Sequence, residues 1–81
     1  MIEVHIPKMG MSTTDVDVTQ VMVAVGQLVK AGDPLVEIEG DKAVFVIEAE
    51  GDGRVVELLV EVGGNYDVGH VACRLEETND Q

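Results

Sequence analysis

The sequence has few of the residues that usually stabilise a very small domain, such as cysteine, histidine and aromatic residues. Its 81 residues include one cysteine, so no internal disulfide can form. One cysteine and two separated histidines do not supply the ligand spacing of a structural zinc site. Tryptophan is absent and aromatic residues make up 2%, so any core must be aliphatic. No apolar run approaches the roughly 18 residues of a membrane-spanning helix. We therefore expect one domain that is stabilised by packing.

Positive charge is also scarce. Five basic residues stand against 16 acidic ones, which gives a formal net charge of −11. A phosphate backbone or an anionic lipid surface would repel such a chain, so nucleic acid and membranes are excluded as partners. The hydrophobic fraction of 46% is nevertheless too high for an acidic disordered tail. The composition predicts a folded, soluble domain.

Alternating apolar residues dominate the chain. Valine occurs sixteen times, and β-branched residues favour strands because their χ1 angle is restricted. The alternation predicts strands at residues 16–18, 21–25, 36–39, 44–47 and 60–62. Glycine-containing turns separate these runs, and no comparable stretch has the period of a helix. An all-β domain is predicted.

An internal repeat refines this fold. A shift of 37 residues aligns 23–26 with 60–63, Gly32 with Gly69, and 38–39 with 75–76. Neither half could bury its apolar face alone, so we expect a flattened barrel or sandwich of two small antiparallel sheets with pseudo-two-fold symmetry. The hairpin that closes the first half should lie opposite the chain ends. The domain is predicted over residues 1–76, with 77–81 as the start of a linker or a disordered tail.

Lys42 differs from the other cations by its position. It lies between the apolar run that ends at Ile38 and the run that starts at Val44, within the sequence Glu-Gly-Asp-Lys-Ala of residues 39–43. This pattern predicts a β-hairpin with Lys42 at its tip and the ammonium group in water. From position alone, an ordinary solvated lysine is the favoured interpretation.

The residues around Lys42 resemble a known segment. Ile-Glu-Gly-Asp-Lys-Ala-Val, residues 38–44, is similar to the Glu-Thr/Ser-Asp-Lys-Ala segment around the modified lysine of lipoyl domains. These domains are the swinging arms of the 2-oxo acid dehydrogenase complexes and of the related acetoin complex. Further similar segments follow in the family's order, at residues 6–12, 29–39, 49–56 and 61–69. Over residues 4–76 the chain is identified as a member of the lipoyl-domain family, of the kind found in acyltransferase components.

This resemblance implies a non-catalytic carrier. Lys42 would hold lipoate in amide linkage, and Glu39, Asp41 and Ala43 would be recognised by a lipoate ligase or lipoyl transferase. The arm would accept an acyl group from a thiamine-diphosphate decarboxylase component and pass it to an acyltransferase catalytic domain. A dihydrolipoamide dehydrogenase would then reoxidise it. The resemblance favours a pyruvate or acetoin complex, a monomeric isolated domain, and the bacterial cytoplasm or mitochondrial matrix.

Other interpretations stay open at several of these positions. Asp41 could be an ordinary turn residue and Glu39 a solvated strand end. Gly40 stands where the family usually has Thr or Ser, which loosens the predicted turn. A biotin carrier has the same fold, but its lysine lies in Met-Lys-Met. The glycine-cleavage hydrogen carrier is similar only around the lysine, and an unmodified β-sandwich interaction module is the third alternative.

The remaining reactive side chains have structural interpretations. His5 and His70 lack a sequence partner for a triad or a metal site, so both are predicted to be surface residues. Cys73 is predicted to be a small buried hydrophobe. Gly51 and Gly53 are expected to shape the bend between the two halves. The sequence offers no paired acid and base and no phosphate-binding glycine loop, which argues against an enzyme.

Overall fold

The computed structural model describes residues 1–8, 14–40 and 43–78. These residues form eight strands and no helix, so they include no helical segment able to cross a membrane. The strands are β1 (Ile2–His5), β2 (Asp15–Val21), β3 (Leu28–Val29), β4 (Pro34–Glu39), β5 (Val44–Glu48), β6 (Gly53–Leu58), β7 (Asn65–Asp67) and β8 (Val71–Glu77).

The strands build two four-stranded sheets, and every pairing is antiparallel. The terminal sheet has the order β1-β8-β6-β3 and contains the first and last strands. The hairpin sheet has the order β5-β4-β2-β7 and contains the hairpin around Lys42. The predicted fold class, a flattened sandwich of two small antiparallel sheets, is confirmed.

Four glycines show the predicted repeat in the backbone. Their φ angles are 96° at Gly26, 91° at Gly32, 88° at Gly63 and 89° at Gly69, in the region that favours glycine. Gly26 and Gly63 lie 37 residues apart, as do Gly32 and Gly69. The sharp turns therefore occur twice, at equivalent places in the two halves.

Hydrogen bonds between the halves follow the same symmetry. The N–H of Gly26 donates to the carbonyl of Val55 at 2.6 Å, and the N–H of Gly63 donates to the carbonyl of Val18 at 2.8 Å. The two hydrogen bonds are related by the pseudo-symmetry: a shift of 37 residues converts Gly26 into Gly63 and Val18 into Val55. The predicted pseudo-two-fold arrangement is confirmed.

The core between the sheets is aliphatic, as the composition predicts. No polar or charged residue is buried in the described part of the chain. Complete burial of one Val, Leu or Ile side chain contributes about 1.5–3 kcal/mol. The most deeply buried side chains are Ile6, Val16, Val18, Leu35, Val36, Ile38, Val55, Cys73 and Leu75.

Two of the predicted strands are wrong in detail. β2 ends at Val21, so residues 22–25 are not in a strand, and residues 60–62 lie in the connection from β6 to β7. Both connections take the chain from one sheet to the other. Val23 and Val60 are buried on the way. The apolar alternation in these two segments therefore reflects burial between the two sheets, although Val23 and Val60 are not part of a strand.

The terminal strand is longer than expected. Glu77, predicted as the first residue of the linker or tail, belongs to β8 and pairs with Gly53, next to the pair of Glu76 with Arg54. Backbone pairing with β6 holds them in the sheet, although their side chains are exposed. Residues 79–81 lie outside the described residues, and the linker assignment stays a prediction.

At Gly53 the strand β6 leaves no room for a side chain against β8. A Cβ atom at Gly53 would lie 2.8 Å from the carbonyl oxygen of Glu76, a contact that requires the backbone to shift. A Cβ atom at Gly51 would lie 3.8 Å from the Cδ1 of Ile2, which is ordinary contact. The structural role predicted for Gly53 therefore has a steric basis, and the space around Gly51 does not require glycine.

We predict that Gly53→Ala lowers the free energy of unfolding by about 1–3 kcal/mol, because the new methyl group overpacks the β6–β8 contact. Gly51→Ala is the matched control and should change it by less than about 1 kcal/mol, since the smaller entropy of the unfolded chain offsets any strain. Urea denaturation of both variants measures the difference. Equal stabilities would contradict the steric explanation.

Candidate functional site

The hairpin of β4 and β5 closes as the sequence predicts. Glu39 lies opposite Val44, and the N–H of Gly40 donates to the carbonyl of Ala43 at 2.9 Å. Two residues, Asp41 and Lys42, connect this bonded pair along the chain. Both lie outside the described residues, so their roles stay predictions.

The two strands hold the hairpin to the core in different ways. In β4, Leu35 and Ile38 are fully buried, which fixes the strand inside the sheet. In β5, Ile47 is buried, whereas the residues from Val44 to Val46 are exposed. The hairpin therefore has a buried base, and the first residues of β5 are exposed.

Two of the predicted recognition residues flank the tip. Glu39 ends β4 and Ala43 precedes β5, and both are exposed. A protein that approaches the tip can therefore contact both of them. The structure gives Glu39 and Ala43 a location suited to recognition and leaves their role as a prediction.

The surface beside the hairpin is acidic. Asp17 lies opposite Glu39, and the Asn65 side-chain amide donates to Asp15 at 2.7 Å and to Asp17 at 2.9 Å. The described strands of the hairpin sheet contain no basic residue. Electrostatics at this surface therefore favours a positively charged partner.

The terminal sheet differs, because a basic side chain pairs with two of its acidic residues. The guanidinium of Arg74 lies between Glu57 and Glu3, and its Nε is 3.1 Å from the Glu3 carboxylate. Hydrogen bonds to Glu57 and Glu3 raise the pKa of Arg74 above its ordinary value. The two sheets have similar backbones but present different charge to the solvent.

The histidines are surface residues, as predicted. The His70 ring stacks on Tyr66 with 4.9 Å between centroids, and its Nε2 is 3.2 Å from the carbonyl oxygen of Leu59. His5 Nε2 lies 3.7 Å from a carboxylate oxygen of Glu3. Within the described ranges, no three His, Cys, Asp or Glu residues are grouped to hold a metal ion.

Cys73 does not offer a second nucleophile for an acyl group. Its side chain is fully buried in the core, and desolvation raises the pKa of the thiol above its ordinary value. A raised pKa lowers the fraction of reactive thiolate at neutral pH. The prediction that Cys73 is a small buried hydrophobe is confirmed.

We predict that Cys73 in the folded protein reacts at pH 8 with an aromatic disulfide reagent at least about tenfold more slowly than in the unfolded chain, because burial blocks access and disfavours the thiolate. Absorbance of the released thiolate measures both rates. The urea-unfolded chain is the control and should titrate as one thiol. Equal rates in the two states would contradict the buried location.

Comparisons with known proteins agree with the fold and the hairpin. A family model for biotin- and lipoyl-attachment domains, described as "Biotin-requiring enzyme", matches residues 2–75. The chain is 35% identical over 77 residues to the dihydrolipoyllysine-residue acetyltransferase component of the pyruvate dehydrogenase complex of Corynebacterium glutamicum. That match covers 95% of the chain and 11% of the relative. The corresponding component of Haemophilus influenzae is 37% identical over 76 residues, covering 94% of the chain and 13% of the relative.

Solved structures give the same fold. The lipoyl domain of the 2-oxoglutarate dehydrogenase complex from Azotobacter vinelandii superposes with a TM-score of 0.82 at 29% identity. That match covers 98% of this chain and 100% of the solved chain. Part of a single-chain, multi-domain long-chain acyl-CoA carboxylase superposes with a TM-score of 0.74 at 27% identity, over 83% of this chain and 7% of the carboxylase chain.

The fold, with two residues connecting the bonded pair at the end of its hairpin, defines a small carrier domain that is not itself catalytic. The chain belongs to the family of biotin- and lipoyl-attachment domains. It spans about a tenth of the length of the two acetyltransferase components and the whole of the solved lipoyl domain. The activities in the relatives' names belong to those longer proteins.

One surface feature does not appear among the sequence-based predictions. Val44, Phe45 and Val46 lie in a predicted alternating strand, yet all three are exposed. The signal was present in the sequence, because residues 44–47 are four consecutive apolar residues and a strand can direct only every second one to the core.

Proposed function

We propose that this chain is a lipoyl carrier domain whose attachment site is Lys42. The observation that carries the proposal is the hairpin bond from Gly40 to Ala43, which leaves only Asp41 and Lys42 to connect the strands of a lipoyl-like fold. A connection of two residues restricts where the lysine can lie.

The residues around the connection fit a covalently attached group. Glu39 and Ala43 are exposed, so a ligase has access from both strands. Ile38 and Leu35 fix the base of the hairpin in the core. The protein's contribution is therefore position and recognition, whereas the lipoyl group, when attached, supplies acyl-transfer and redox chemistry.

Attachment through an amide also changes the charge of the chain. Lys42 is one of only five basic residues, and amide formation removes its positive charge. The modified chain is one unit more negative than −11. This difference makes modification measurable by isoelectric focusing without any activity assay.

The proposed partners are those of a 2-oxo acid dehydrogenase complex: a thiamine-diphosphate decarboxylase component, an acyltransferase catalytic domain and a dihydrolipoamide dehydrogenase. Tethering converts each encounter into an intramolecular event with a high effective concentration. Relatives named for pyruvate dehydrogenase complexes support a pyruvate complex, and the lipoyl motif alone leaves an acetoin complex possible. We place such a complex in the bacterial cytoplasm or the mitochondrial matrix.

Biotin is the second candidate, because the family includes biotin carriers and a carboxylase has the same fold. Lys42 is flanked in the sequence by Asp41 and Ala43 and not by two methionines. The solved lipoyl domain also superposes over more of this chain, 98% against 83%, and with the higher TM-score, 0.82 against 0.74. These observations favour lipoate.

We predict that lipoate ligase with lipoate and ATP adds one lipoyl group to the chain and that Lys42→Arg abolishes the addition, because the variant keeps a cation but loses the acylatable amine. Intact mass and peptide mapping measure the product. Lys30→Arg, at an exposed lysine before a turn, is the control and should be modified normally.

A parallel reaction with biotin ligase and biotin separates the alternatives. The proposal expects no biotinyl increment there. A biotinyl mass increment on Lys42 would instead identify the chain as a biotin carrier domain of the kind found in carboxylases. Residual lipoylation of the Lys42→Arg variant would contradict the assignment of Lys42 as the attachment site. The absence of a mass increment in both reactions would favour an unmodified interaction module.

A further inference from the structure

The free edge of β5 is an exposed apolar strand. β5 stands at one end of the strand order of the hairpin sheet, so no strand of the described residues lies along one side of its backbone. Val44 is 56% exposed, Phe45 40% and Val46 46%. The other strongly exposed apolar residues, Met1, Val25, Leu28 and Val62, are not consecutive. This edge therefore combines unpaired backbone with apolar side chains.

The register shows which backbone groups face outward. Gly40 and Ala43 form a hydrogen-bonded pair at the end of the β4–β5 ladder. Along an antiparallel ladder, hydrogen-bonded pairs alternate with pairs that are not hydrogen-bonded to each other. Val44 and Val46 therefore form non-bonded pairs with β4, and their N–H and C=O groups point to the free edge. Each can hydrogen-bond to an added strand.

The pseudo-symmetry provides an internal comparison. β1 is the free edge of the terminal sheet, and its Ile2–Leu75 pair is equivalent to the Phe45–Ile38 pair of the hairpin sheet. The residue equivalent to Val46 is thus Glu3, whose carboxylate pairs with Arg74. Charged side chains are a common means of protecting an edge from strand addition. The β1 edge has this protection and the β5 edge lacks it.

We propose that the β5 edge binds an extended segment of a partner protein by strand addition, and that this segment alternates basic and apolar side chains. Backbone hydrogen bonds to Val44 and Val46 would supply affinity and their apolar side chains would supply contact. The charge around the edge determines the sign of the partner's charge: Glu39 faces Val44, Glu37 faces Val46, and Glu48 ends the strand.

A second copy of this chain fits the edge less well. Two copies would bring together two chains of net charge −11, with acidic residues on both sides of the joined edge. Like charges that face each other across an interface oppose association. Charge complementarity therefore favours a basic partner. The inference goes beyond the carrier role, because it requires no modification of Lys42.

The first test uses a blocked synthetic peptide of alternating lysine and valine, seven residues long. Amide hydrogen exchange of the chain, followed by NMR, should show added protection at Val44 and Val46. A peptide with glutamate in place of lysine tests charge, and a lysine peptide with a central proline tests strand formation; neither should protect these amides. Protection at residues 2–5 in place of the β5 edge would contradict the proposal.

The second test compares two variants with the same change in net charge. Val46→Lys places a cation at the open edge and should weaken binding of the lysine-valine peptide by about tenfold or more, because edge lysines oppose strand addition. Val62→Lys changes an equally apolar valine, 61% exposed, within a turn. It should keep affinity within about twofold of the parent, the range expected for a surface change away from the contact.

Equal weakening in the two variants would show a general charge effect and overturn the proposal. Concentration-dependent dimers without peptide, abolished by Val46→Lys, would make a second copy the occupant and also overturn it. The Lys42→Arg variant should bind the peptide like the parent. This result separates the edge from the carrier function, since loss of lipoylation then leaves peptide binding intact.

Discussion

The structure depends on the interlocking of two half-domains, neither of which can bury its apolar face alone. The terminal sheet combines β1 with β6 and β8 and adds the short strand β3, and the hairpin sheet combines β2, β4 and β5 and adds the short strand β7. The chain therefore passes from one sheet to the other at every connection except β4–β5. Two of these crossings are held by the equivalent bonds from Gly26 to Val55 and from Gly63 to Val18. An aliphatic core shared by both sheets follows from this exchange.

The sequence predicts those parts of the fold that depend on local pattern. The repeat and the β4–β5 hairpin follow from alternation and glycine spacing. The crossing segments around Val23 and Val60 do not, because burial between layers produces the same alternation as a strand. Alternation in residues 44–47 already requires that some of these apolar side chains face outward. The edge position of β5 does not follow from the sequence, because only the strand order determines it.

Pseudo-symmetry gives the domain two similar ends, and the side chains make them different. The hairpin tip and the chain ends occupy equivalent places in the two sheets, because Phe45–Ile38 corresponds to Ile2–Leu75. In the terminal sheet Arg74 pairs with two acidic residues, whereas the described strands of the hairpin sheet are acidic and have an open apolar edge. One scaffold thus presents two ends with different charge.

The central claim is that the chain carries an acyl group on a lipoyl arm at Lys42. The most direct test incubates the lipoylated chain with a 2-oxo acid and its thiamine-diphosphate decarboxylase component, for pyruvate, 2-oxoglutarate and branched-chain acids in turn, and measures intact mass and peptide maps. The account predicts an acyl increment on the Lys42 peptide, largest with the pyruvate component. A fully lipoylated chain that none of these components acylates would contradict it.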